Sequence, residues 1–120
     1  MQIVLNIIFS LELALLFVHE MDAVRRQEWK MFVKLKDMED EKAYRVFMLL
    51  HIPLYTAILA LLLSGYRIGF YITDVFLIAH TLVHTGVRNH TANKLTSGIS
   101  KSIIFISGIL AAVHLLLICF

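Results

Sequence analysis

The 120-residue chain is 59% hydrophobic and 17% charged, with a mean hydropathy of +0.79; this is too apolar for a soluble domain of its length and reads as one transmembrane domain, residues 1–120. A formal charge of +2, with no basic run interleaved with aromatics, excludes nucleic-acid binding. The single cysteine, Cys119, excludes an internal disulfide and a Cys-based zinc cage, and reads as a small apolar helix residue.

The first apolar run carries no Lys or Arg and ends in His19-Glu20 instead of a small-residue cleavage site. It is therefore expected to be a retained membrane helix and not a signal peptide. Four runs approach the roughly twenty residues that a helix needs to cross a ~30 Å hydrocarbon core: residues 2–19, 44–64, 68–86 and 102–120. None shows a period of two, and lipid offers no partner for an open sheet edge. The expected fold is all-α, an integral membrane four-helix up-down bundle whose short connections make successive helices antiparallel.

Lys/Arg asymmetry sets an expected orientation. The first and third connections and their flanks hold Arg25, Arg26, Lys30, Lys34, Lys36, Lys42, Arg45, Arg88, Lys94 and Lys101, whereas the second holds only Arg67. By the positive-inside rule, the loops at 20–43 and 87–101 are cytoplasmic, both termini are outside, and the chain is a multi-pass cell-membrane protein. In the first loop, Trp29 beside Met31, Phe32 and Val33 reads as an interfacial segment. Asp37, Glu39, Asp40 and Glu41 suit the start of the second helix. Pro53 removes a backbone bond in that helix and should kink it near His51.

On this topology the histidines fall into a layer. At 1.5 Å per residue, His19 ends the first helix, His51 lies ~9 Å inside the second, and His80 and His84 lie ~9 and ~3 Å inside the end of the third. Ionisable residues within a span are costly, so they read as functional. His80 and His84 at i, i+4 share a helix face and can reach one metal ion. The expected ligands are His19, His51, His80 and His84, with Glu20 and Asp22 as the catalytic acids. Imidazole with carboxylate suits a divalent metal, zinc or iron, and spacing does not choose between them. Glu12 and Asp74 are expected to pair with each other or with a His. Tyr44, His51 and Tyr55 share a face, His90 lies above the layer, and His114 is set apart in the fourth helix. No phosphate-binding loop, nucleophile elbow or His-Glu-x-x-His is present.

The stretch from Val18 to Trp29, with Tyr44-Arg45 and Leu50-His51-Ile52-Pro53-Leu54, resembles small bacterial four-helix membrane proteins with a His-Glu-x-Asp-Ala motif. It is more distantly similar to the HXXEE-domain membrane proteins, although Asp22 and Ala23 stand where that motif has Glu-Glu. The resemblance implies a His/acid membrane site, of a kind associated with metal-dependent enzymes, and names no reaction.

The function expected is therefore a metal site near the cytoplasmic face acting on a membrane-embedded or amphipathic substrate, with the lipid bilayer as partner. A second class is a haem protein using His51 and His80 for electron transfer. A third is a non-enzymatic interaction or transport subunit with a proton path. Self-association into a homo-oligomer is left open, because no small-xxx-small face marks an interface.

Overall fold

The computed structural model describes residues 1–120 as helices and connecting turns, without a strand. The helices are α1 (Gln2–Arg25), α2 (Asp40–Leu63), α3 (Arg67–Gly86) and α4 (Gly98–Cys119), and a single 3-10 turn, Glu28–Met31, follows α1. All four helices are long and apolar enough to cross a membrane, which supports a multi-pass membrane protein and bears out the all-helical expectation. Three helices extend four residues or more beyond the apolar runs, among them α4, which starts at Gly98. Helix α1 continues to Arg25, because Glu20, Met21, Ala23 and Arg25 are good helix formers even where the apolar run has ended. Helix α2 begins at Asp40, with Asp40 and Glu41 in its first turn, where negative charge meets the positive end of the helix dipole. Ser97 caps α4 by accepting a bond from the Ser100 N–H at 3.1 Å, and Gly65 turns the chain between α2 and α3 at φ +72°.

In lipid the hydrophobic effect does not press helices together, so close packing and hydrogen bonds must. Helix α4 supplies both, lying against α1 and α3 over extensive interfaces. At Gly108 the α3 and α4 backbones come so close that an added Cβ would lie 2.5 Å from Thr81 Oγ1. The Thr81 hydroxyl also donates across the seam to the Ile104 carbonyl at 3.0 Å. Helix α2 packs on α3 and on the 3-10 turn and stands away from α1. Side chains span that gap: Phe17 meets Tyr55 edge-on, and Glu20 meets His51.

Two apolar clusters hold the bundle. Leu16, Ile58, Leu77 and Ala111 fill its middle, and Ala23, Trp29, Leu35, Ala43 and Phe47 fill the space beneath the first loop. The loop differs here from an interfacial segment, because Trp29 is buried, 5.8 Å from both Tyr44 and Phe47 by ring centroids. The cause is local. Gln27 adopts a left-handed conformation, φ 55°, which reverses the chain and lays Glu28–Met31 back over the helix ends.

Candidate metal centre

That reversal carries Glu28 in among the histidines. One ligand atom each from His19 of α1, Glu28 of the turn, and His80 and His84 of α3 lie within 4.8 Å of one another. Glu28 bridges the group: Oε2 is 3.7 Å from His19 Nε2 and Oε1 is 3.5 Å from His84 Nε2. The imidazole centroids are 4.8 Å apart for His19–His80, 4.8 Å for His19–His84 and 4.5 Å for His80–His84. Ligand atoms around a tetrahedral ion with bonds of roughly 2.0–2.1 Å sit about 3.4 Å apart, so the Glu28 distances are near those of a filled site.

Polar satisfaction points the same way. Both ring nitrogens of His19 and Oε2 of Glu28 are buried without a hydrogen-bond partner. Buried polar atoms are nearly always paired, and an orphaned set of this kind is what a bound ion would satisfy. His19, Glu28 and His84 are all buried, and His80 is half-buried at the edge of a cavity. Burial alone would push the Glu28 carboxyl up, but the neighbouring His84, and then His19 and His80, outweigh it and hold the group below the usual carboxylate range. Glu28 is therefore an anion at neutral pH, as a ligand must be.

His51 is not in this group. Its Nδ1 lies 2.7 Å from the Phe47 carbonyl and its Nε2 2.6 Å from Glu20 Oε2. A carbonyl only accepts, so Nδ1 carries a proton. The short Nε2–Oε2 contact then needs one further proton, which belongs to the imidazole or to the carboxyl. Glu20 and His51 thus form a dyad holding one transferable proton. Asp22 lies elsewhere: it accepts from the Ser100 hydroxyl and pairs with Arg26 at 3.4 Å, tying the end of α1 to the start of α4. His90 is exposed in the third connection, where its Nδ1 accepts from the Ala92 N–H. Glu12, Asp74 and His114 meet in a separate group, about seven residues or 10 Å along α1 from His19.

A cavity of about 480 Å³ opens between α2, α3 and the first loop, with Glu20, Glu28, His51 and His80 in its wall and Phe47, Leu50, Leu54 and Phe76 around them. Lys34 stands at the same cavity. A second hollow of about 370 Å³ reaches Glu20 and His51 from the α1 side, past Phe17, Met21 and Tyr55. The dyad is thus accessible from both sides of the gap between α1 and α2.

Of the site residues expected from sequence, the structure brings His19, His80 and His84 together and sets His51 with Glu20 beside them. Glu28 was not anticipated. No periodicity relates it to His19, and Gln27 lacks the Gly or Asn signature that would announce a left-handed turn.

Residues 5–119 match the sequence profile described as "Family of unknown function (DUF6713)", which spans nearly the whole chain. No curated protein and no solved structure matches it.

Proposed function

We propose that this chain, which belongs to the family of unknown function DUF6713, is a metal-dependent membrane enzyme whose centre is His19, Glu28, His80 and His84, acting on an amphipathic or membrane-embedded substrate. The observation that carries the reading is the convergence of three imidazoles and one carboxylate from three separate segments, with both ring nitrogens of His19 and Oε2 of Glu28 buried and unpartnered. Zinc and iron both suit this donor set. His19, Glu28, His80 and His84 would hold the ion, and it would supply Lewis acidity there.

The remaining steps belong to the protein. In this reading Phe47, Leu50, Leu54 and Phe76 line the space for the apolar part of the substrate, and its polar end lies beside Glu28 and His80. Glu20 takes a proton from the attacking group and His51 stabilises or returns it, since the two share one proton at 2.6 Å. Lys34 at the same cavity offers a cation to an anionic headgroup. With the Lys/Arg-rich loops cytoplasmic, the centre lies near the cytoplasmic side. The likeness of residues 18–29 to HXXEE-domain proteins supports the same His/acid reading.

The test is metal content and visible spectrum of detergent-purified protein, wild type beside His80→Ala and Glu28→Ala. Stoichiometric zinc or iron, lost from this centre in both variants, is expected. A metal content unchanged from wild type in both variants would move the site away from these residues. A Soret band would redirect the reading to haem, and failure to bind added Zn²⁺ or Fe²⁺ would leave the imidazoles as structural groups.

A further inference from the structure

About 10 Å from the histidine layer, towards the chain termini, α1, α3 and α4 bring a second polar group together. Glu12, Asp74 and His114 each offer a ligand atom within 4.8 Å of the other two, and none is more than 1% exposed. His114 Nδ1 lies 2.8 Å from Asp74 Oδ2. Both oxygens of Glu12 and Oδ1 of Asp74 are buried without any partner. The group is walled on both sides. Phe9 and Phe70 pack against the His114 ring, at 5.2 and 5.5 Å, and against each other at 4.8 Å. Leu16, Leu77 and Ala111 fill the space towards the histidine layer.

Two carboxylates and an imidazole in such a place are costly for a bundle to bury. A divalent cation cancels both negative charges and uses the three oxygens that nothing else satisfies. We propose that Glu12, Asp74 and His114 form a second, closed metal site for a divalent transition ion such as Zn²⁺ or Mn²⁺, which clamps α1, α3 and α4 together. Structural ions are enclosed by protein ligands, whereas catalytic ions keep an open position. None of the three principal cavities is lined by these residues, which assigns this site to the first kind. It shares no residue with the histidine centre and does not depend on it.

The experiment is elemental analysis of the full-length protein in detergent, after loading with Zn²⁺ or with Mn²⁺ and removal of excess ion. Wild type, Glu12→Gln, His114→Ala, His80→Ala and His80→Ala/His114→Ala are compared, each checked for a monodisperse profile and native helicity. The expected result is two equivalents per chain in wild type, one in each single variant and none in the double variant. Stripping with a chelator should lower the melting temperature of His80→Ala, whose remaining ion is the clamp, and leave that of the double variant unchanged. Glu12→Gln differs from the wild-type side chain by one atom and keeps the comparison interpretable should His114→Ala fail to fold. A second equivalent that persists in Glu12→Gln and His114→Ala would overturn the assignment. So would a loaded wild type whose entire metal content disappears with His80→Ala, which would leave Glu12 and Asp74 as hydrogen-bonded acids. Loss of the histidine centre alone gives a different pattern: one equivalent in wild type, retained in His80→Ala and lost in His114→Ala.

Discussion

The two polar layers of this bundle are built from the same kinds of side chain and differ in what surrounds them. The histidine layer has three imidazoles and one carboxylate, lies at the loop end of the helices, and opens to a cavity of about 480 Å³. The other has one imidazole and two carboxylates, lies among helices only, and is sealed by Phe9, Phe70, Leu16 and Leu77. The difference lies in helix α2. It stands off α1, so the layer it borders has room for a substrate, whereas α4 fits tightly between α1 and α3 and leaves the lower layer none. Access therefore separates the proposed reactive centre from the proposed clamp, although the side-chain chemistry is similar.

The largest effect that would break this comparison is at the closed layer. Asp74→Ala leaves His114 buried without its partner, beside an already unpartnered Glu12, a loss of about 3–5 kcal/mol for a broken buried pair. Denaturant unfolding in detergent measures it, and a drop comparable to a surface substitution would show that the layer is not closed. Gly108→Val comes next, at about 1–3 kcal/mol for overpacking, because its Cβ would meet Thr81 of α3, the helix that carries ligands of both layers. Metal loading at both sites should weaken together in that variant.

At the open layer smaller stability effects accompany larger functional ones. Glu28→Gln should lose metal while remaining folded. Its pH signature follows from a carboxyl held below the usual range: the stabilisation is complete above the ordinary Glu value of about 4.3 and is lost as pH falls through the lower folded value. The melting-temperature gap between metal-free wild type and Glu28→Gln should therefore be constant from pH 7 to about 5 and close only in stronger acid. The smallest effect is expected for Glu20→Gln, which should keep full metal content and stability while removing the proton that Glu20 shares with His51. A histidine-selective NMR titration of His51 would show the change, and loss of metal in this variant would place Glu20 among the ligands.

Much of this architecture is legible in the chain. Four apolar runs, one short turn and two charged connections leave little choice but an antiparallel helical bundle, and equal depth from a common face aligns His19, His80 and His84. The meeting of Asp74 with a His also follows from the cost of burying a carboxyl alone. Other features are not legible, the entry of Glu28 among the histidines included. His51 shares the depth of the layer, yet the stand-off of α2 directs it to Glu20. Asp22, next in line after Glu20, turns to Ser100 and Arg26 because α1 continues as a helix past the end of the apolar run.

The sequence by itself determined the membrane-crossing helices, their alternation and the depth of each ionisable group, because apolar length and the 1.5 Å helical rise are local quantities. Only the tertiary structure decided which of those groups face one another. Glu28 enters the centre through a left-handed Gln27, and His114 joins Asp74 through the close approach of α3 and α4 at Gly108. Both depend on the rotation of a segment about its own axis and on the distance between backbones. Packing partners set those quantities, and no residue spacing encodes them.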